Sequence, residues 1–390
     1  MNLEESLAWL YATQQFGIKL GLENTRRLLS ALGDPQEKLR FLHVAGTNGK
    51  GSVCAMLDAI LHASGRRTGL YTSPHLVDFR ERIRVGGEKI PPHIAAEGLS
   101  LIRAASCDWD HSPTFFEITT ALALWHFART DCALVVLETG MGGRLDATNA
   151  VRPLVAVITP IARDHSQWLG DTLARIAGEK AGIIKPGVPV VSARQNSEAA
   201  NVLAQRALAE NSPIHFVEAP AQRFAIALRG SHQQENAALT VAALAAAGVI
   251  VSEEDIKTGL REVRWPGRFQ LVGERIILDG SHNPHAASHL VENWRENFGP
   301  RQATVIFGAL SDKDFGEMLG ILEPIAQEFF FVPIQSQRAA PPQLLAESTQ
   351  ARHRVFDSVQ TALEASPTLT LITGSLFLVG EALDLLGLEV

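Results

Sequence analysis

Three cysteines in 390 residues, Cys54, Cys107 and Cys132, are too few and too irregularly spaced for a disulfide framework or a cysteine zinc site. Three reduced thiols are the plain reading. Long apolar runs are missing too: the longest, over 238–251, falls short of the roughly 20 residues that a membrane span needs. Glu4 and Glu5 stand where a secretory signal would be basic, so the chain is expected in the cytoplasm, with no membrane partner. Nor is positive charge in excess, since 35 Lys and Arg face 42 Asp and Glu for a formal net charge of -7. That balance argues against nucleic acid as the main partner and requires an anionic substrate to find a local basic pocket.

What the chain does have is alternation. Runs rich in branched apolar residues, over 41–45, 68–71, 133–138, 154–159 and 189–191, alternate with segments of helical period. This is the pattern of a parallel α/β sheet, whose ligands bind beyond the carboxyl ends of the strands. A second series begins after Trp265-Pro266-Gly267, with strands expected over 276–279, 304–307, 329–332 and 369–373 and a helix over 286–294. The Ala-rich stretch 233–260 before it reads as helical. The expected architecture is an N-terminal P-loop NTPase-like domain over 1–264 and a smaller Rossmann-like α/β domain over 265–390.

The first strand leads into His43-Val44-Ala45-Gly46-Thr47-Asn48-Gly49-Lys50-Gly51-Ser52 and then directly into a helix. Glycines let backbone N–H groups converge on phosphate oxygens, the helix N-terminus adds partial positive charge, and a lysine neutralises the outer phosphates. The loop departs from the standard G-x-x-x-x-G-K-[ST] pattern twice: Val44 replaces the first glycine, and Gly51 moves the hydroxyl residue Ser52 one place later.

Other residues stand out more weakly. Glu138 closes an apolar strand and is suited to hold Mg²⁺, a hard cation that takes oxygen ligands, although a solvated strand end has the same sequence. Ser73 and His165 follow two other strands at the same sheet edge. Lys180 falls on the apolar stripe Leu173, Ile176, Ala177, Ala181, Ile184 of a helix starting near Asp171. Burial disfavours an ammonium and frees a reactive amine, whereas a snorkelling lysine gives the same pattern. Thr114-Phe115-Phe116-Glu117 has the spacing of a capping box. Asn236 near a helix start, Arg268 at the hinge and Asp279 at a strand end each also have a plain structural reading.

The loop resembles that of the Mur ligase superfamily, and its Gly-Lys-Gly-Ser ending is similar to the dihydrofolate synthase and folylpolyglutamate synthase branch. The resemblance continues in order through Tyr71-Thr72-Ser73-Pro74-His75-Leu76, the stretch Glu138 to Asn149, Asp164-His165, Glu179-Lys180-Ala181-Gly182-Ile183, Pro266-Gly267-Arg268 and Asp279-Gly280-Ser281-His282-Asn283-Pro284. It implies a Mur ligase-like fold in which Gly46, Thr47, Asn48, Gly49, Lys50, Gly51, Ser52, Asn236, Arg268 and Asp279 bind ATP. It further implies Ser73, Glu138 and His165 as magnesium ligands, with two Mg²⁺ sites and K⁺ as a further ion. Lys180 is implied to be carbamylated, and Lys50, Lys180 and His165 to act in catalysis. Thr114, Phe115, Phe116, Glu117, Leu145, Asp146 and Ala147 are implied to hold a pterin, with 18–22 closing over the same pocket. Histidine is an unusual magnesium ligand on physical grounds.

The implied activity is ATP-dependent amide formation, adding L-glutamate to dihydropteroate and to reduced folates through an acyl phosphate, by a monomer. Folylpolyglutamate synthesis alone, a cell-wall Mur ligase and a non-ligating nucleotide-binding module are the competing readings. Cell-wall ligases carry a nucleotide-sugar domain before the phosphate loop, where only 42 residues precede His43 here.

Overall fold

The structure, a computed structural model, describes residues 2–16, 21–164, 166–220, 222–366 and 369–390. Two sheets organise it. The first has strands β1 (Phe41–Ala45), β2 (Thr68–Tyr71), β3 (Ile83–Val85), β4 (Glu88–Lys89), β5 (Leu134–Glu138), β6 (Val155–Ile158), β7 (Val190–Ser192) and β8 (Ile214–Phe216), in the spatial order β4-β3-β2-β5-β1-β6-β7-β8. The second has β9 (Gln270–Val272), β10 (Ile276–Leu278), β11 (Ala303–Phe307), β12 (Ala326–Phe331), β13 (His353–Val355) and β14 (Thr370–Thr373), in the order β13-β12-β11-β14-β10-β9.

Both sheets are parallel at their centres, because helical crossovers cover both faces and favour continuously apolar strands such as Leu134–Glu138 and Ala303–Phe307, buried throughout. The edges differ from the all-parallel expectation: β3 and β4 run antiparallel beside β2, and β9 runs antiparallel to β10. These strands are only two or three residues long, Ile-Arg-Val, Glu-Lys and Gln-Leu-Val, and had no apolar run to mark them.

The 233–260 stretch is two helices, His232–Ala246 and Glu253–Glu262, rather than one. Ser252 restarts the helix with a reciprocal capping box to Asp255. Likewise the helix carrying Lys180 spans Leu173–Lys180 and tightens to a 3₁₀ turn over Ala181–Ile183, so Ala181 and Ile184 continue its buried side from outside the helix. No helix among the described residues is long and apolar enough to cross a membrane.

Strand β1 lies between β5 and β6, where the chain switches from one side of the sheet to the other, and its end is the point from which the loop at Gly46 departs. One polar side chain is buried in the middle of it. His43 is 0% exposed, and its Nε2 lies 2.9 Å from Thr148 Oγ1. Thr148 donates its N–H and its hydroxyl to Asp146 Oδ1, at 3.0 and 2.5 Å, and the Met141 amide donates to Oδ2 at 2.9 Å. With the Thr148 hydroxyl proton used on the carboxylate, Thr148 Oγ1 accepts from His43 Nε2–H. Burial, with Lys185 nearby, pushes the imidazole down to about 3, so it is neutral at physiological pH. This relay fixes the glycine-rich 140–148 loop to the central strand. Thr148→Val leaves a buried donor on His43 unsatisfied and should cost about 1–3 kcal/mol; calorimetry should show a lower unfolding midpoint, and an unchanged transition would contradict the relay.

Candidate active site

The loop from β1 turns through positive-φ Gly46 and Gly49 directly into helix Lys50–Ala63, so the helix N-terminus faces the end of the strand. Gly46 sits against Thr159, where a Cβ would fall 1.8 Å from Oγ1, and Gly51 sits against Trp265, where a Cβ would fall 2.7 Å from Nε1. The extra glycine that breaks the standard pattern is thus the residue over which the Trp265 indole packs. Ser52 is buried, and Gln233 Nε2 donates to its hydroxyl at 3.4 Å. Gln233 also accepts from Asn236 Nδ2 at 2.9 Å, and a Cβ at Gly49 would fall 2.8 Å from Asn236 Oδ1.

Two lysines meet on this loop. Lys50 Nζ donates to the carbonyls of Gly46 and Thr47, each at 3.2 Å. Lys180, only 4% exposed, donates to the same Gly46 carbonyl at 2.6 Å. Burial, then repulsion from Lys50, pushes the Lys180 ammonium down to about 7, against a weaker pull upward from Asp164 and Asp146. An amine that is substantially neutral near pH 7 is nucleophilic enough to capture CO₂.

Glu138 ends β5 beside this loop, 4% exposed. Its carboxyl is pushed up by burial and pulled back by Lys50, the Ser73 amide, Arg268 and Arg82. Ser73 N–H donates to Oε2 at 3.0 Å. A buried carboxylate with a single hydrogen bond among the described residues fits a cation bound at its remaining lone pairs. Among those residues there is no cluster of three or more His, Cys, Asp or Glu, so a metal here would draw the rest of its shell from Ser73, water and phosphate, as Mg²⁺ commonly does. His165, the third expected ligand, lies outside the described residues, as do residues 18–20 of the expected closing segment.

The second domain reaches into this site. Asn48 and Asn283 exchange side-chain amide hydrogen bonds at 3.2 and 3.0 Å, and Asn48 also bonds His285 Nδ1 at 2.9 Å. Lys313 Nζ lies 2.5 Å from Asp164 Oδ1, with both side chains less than a tenth exposed. Arg268 lies half-buried beside Gly280, in a cleft lined also by Gly51, Ser73, Glu138 and Trp265. Asp279 accepts from the Phe269 amide and from the amide and hydroxyl of Ser281, so it shapes the turn that carries Arg268 and His282.

The expected pterin residues meet along the glycine-rich 140–148 loop, where the Phe116 ring lies against Gly140 and Asp146 accepts from the Met141 amide. Thr114 and Glu117 make a complete capping box at the start of helix Phe115–Arg129, so the structural reading of that segment holds. The Glu117 carboxylate accepts from the Thr114 amide and hydroxyl through Oε2, at 2.7 and 2.9 Å, which leaves Oε1 without a partner among the described residues and open to a ligand N–H. The Phe116 ring covers Gly140, and Phe115 stacks on Tyr11 with centroids 5.7 Å apart. Asp146 is buried and committed to its own loop, flanked by half-buried Leu145 and buried Ala147. Sequence reasoning passed over Trp265, Gln233, Lys313, Tyr11 and Arg82. Lys313 stands between two aspartates, the composition of a solvated turn, and only the fold turns it inward.

Lys313→Met would remove the lysine cation that pairs with Asp164 across the two sheets. It should lower turnover at least tenfold while the separate sheets stay folded by circular dichroism, and near-normal turnover would show that the contact between domains is dispensable.

The Mur ligase middle domain matches residues 44–204, and the Mur ligase glutamate ligase domain matches residues 267–378. The dihydrofolate synthase/folylpolyglutamate synthase of Bacillus subtilis is 34% identical, with 97% of each chain covered. The solved Escherichia coli structure in complex with DHPP and ADP is 32% identical and superposes with a TM-score of 0.89, covering 99% of this chain and 98% of that one. The bifunctional folylpolyglutamate synthase/dihydrofolate synthase of Yersinia pestis, complexed with AMPPNP and an Mn ion, is 33% identical with a TM-score of 0.89, covering 100% and 98%. A phosphate loop closed by a second α/β domain, two lysines on one loop carbonyl and full-length likeness place this chain in the dihydrofolate synthase/folylpolyglutamate synthase family of Mur ligases.

Proposed function

We propose that this protein is an ATP-dependent ligase that joins L-glutamate to dihydropteroate, forming dihydrofolate, and to reduced folates, forming folylpolyglutamates. The observation that carries the reading is the convergence of Lys50, Lys180 and Glu138 from the first sheet with Arg268 and Asn283 from the second around one loop. A carboxylate resists attack by an amine, so it is first activated. A carboxylate oxygen of the substrate attacks the γ-phosphorus of ATP and ADP leaves. The glutamate amine then attacks the acyl carbon, its proton passes to solvent or a nearby base, and inorganic phosphate leaves with the electron pair of the C–O bond.

The residues divide this work by location. Gly46 to Ser52 hold the phosphates, and Lys50 offsets charge on the transferred group. Asn236, Arg268 and Asp279 hold the nucleotide between the domains, which we divide at residue 265. Thr114 to Glu117 and Leu145 to Ala147 seat the pterin. Ser73, Glu138 and His165 are the protein ligands for Mg²⁺, which supplies charge neutralisation on the phosphates when bound. We assign two such ions, with K⁺ as a further one, to a monomeric enzyme. Lys180 carries a carbamate in the working state, replacing a poorly solvated ammonium with an anion.

Incubation with ATP, Mg²⁺, glutamate and dihydropteroate should release phosphate together with a product heavier by one glutamyl residue. Phosphate without added mass would defeat the ligase reading. Lys50→Ala should abolish turnover in a folded protein; near-normal rates would contradict the loop assignment. Carbamate formation needs the neutral amine, and the Lys180 ammonium titrates near 7 rather than near 10.5. Loading with ¹³CO₂, followed by NMR, should therefore show a carbamate signal that grows as pH rises through 7 and fades below it. Lys180→Ala should be inactive and partly rescued by small carboxylic acids, and a fully active Lys180→Ala would refute the modification.

A further inference from the structure

Arg82 is a buried cation with no ion pair among the described residues. It is 8% exposed, at the junction of the 3₁₀ turn Phe79–Arg82 and β3. Its Nε donates to His75 Nδ1 at 2.7 Å, and its guanidinium lies 5.1 Å from the centre of the Phe115 ring. His75 is pushed down to about 3 by burial and by Arg82 itself, so it is a neutral acceptor and does not compensate the charge. The two terminal amino groups make no hydrogen bond among the described residues. A guanidinium with so little exposure is destabilising unless something pairs with it.

The carboxylates around it are committed elsewhere. Glu81 accepts from the amides of Leu76, Val77 and Asp78, and Asp78 is paired with Arg80 at 2.6 Å. Glu138 takes the Ser73 amide and stands among Lys50 and Arg268. What holds Arg82 is arranged for orientation: a neutral imidazole on one side, an aromatic face on the other, and Tyr11 bonded to His75 and stacked on Phe115. Such a fork is preorganised for a bidentate carboxylate. Through Phe115 it belongs to the proposed pterin group, and its field acts on Glu138 at the phosphate side. A substrate reaching from one to the other brings its own carboxylate to this place.

We propose that the terminal amino groups of Arg82 bind, as a bidentate pair, the carboxylate of the acyl substrate that is to be phosphorylated and joined to glutamate. The assignment rests on the ligase reading above and adds a substrate-binding residue to it. Held by two N–H groups on one side, the carboxylate keeps lone pairs on the other for attack on phosphorus. The guanidinium also orients the substrate, so that the carboxyl end rather than the pterin end meets the nucleotide.

The test compares dihydropteroate with its carboxamide, which has the same shape but no charge. By titration calorimetry the intact wild-type protein should prefer the acid by on the order of a hundredfold. Arg82→Met should bind both compounds with the same weak affinity, while its affinity for ATP stays within about twofold of wild type. A retained preference for the acid overturns the proposal, and so does an equal loss for acid and amide, the mark of a merely structural role. If Arg82→Met fails to fold, Arg82→Lys carries the test: it keeps the charge, loses the fork and should reduce the preference about tenfold, and an unreduced preference refutes the pairing. A wild-type protein that discriminates acid from amide but transfers no glutamate would defeat the ligase reading and leave the role of Arg82 standing.

Discussion

The carbonyl of Gly46 is where the architecture of the site is decided. Lys50 from the helix that follows the loop and Lys180 from the distant Leu173–Lys180 helix both donate to it. Two amino groups on one acceptor in a poorly solvated place disfavour a second positive charge, and burial and Lys50 together push the Lys180 ammonium down to about 7. Gly46 itself is fixed by Thr159 at the end of β6, against which no side chain could fit. The position of every other group is set from this point: Glu138 one strand away on β5, Asn283 and Arg268 across the domain cleft, and the glycine-rich loop tied back through Thr148 to His43.

A single theme connects these groups. Lys180, Glu138 and Arg82 are charges removed from water with fewer partners than their burial demands. Each deficit is destabilising in the isolated chain and is offset when a ligand of opposite character arrives. On the proposed reading, CO₂ would convert the first into an anion, a divalent cation would answer the second, and a substrate carboxylate would answer the third. Binding energy thereby goes into assembling the reacting groups, which is where an enzyme without a covalent intermediate gains most of its rate. The domain contact follows the same logic, because Asp164 and Lys313 neutralise each other only when the two sheets are together.

Much of this was legible in the chain, for definite reasons. The central strands were readable because parallel strands buried on both faces are continuous apolar runs, and the phosphate loop because its glycines, lysine and following helix are contiguous. Lys180 was readable because a lysine on an apolar stripe contradicts its neighbours. The edges β3, β4 and β9 were not, since strands of two or three residues have no period to detect. Arg82 and Lys313 were not either, since each lies among charged residues and becomes anomalous only when the fold has removed it from water. The split of 233–260 into two helices depended on a cap at Ser252 that a composition reading passes over.

The claim at the centre of this account is that the substrate carboxylate itself is phosphorylated at the Gly46 loop. Dihydropteroate labelled with ¹⁸O in its carboxylate tests it directly when the enzyme turns over with ATP and glutamate. Mass spectrometry of the released phosphate should find one ¹⁸O atom per turnover, carried from the carboxylate through the acyl phosphate. Unlabelled phosphate would mean that ATP is hydrolysed without activating the carboxylate, and the account would be wrong.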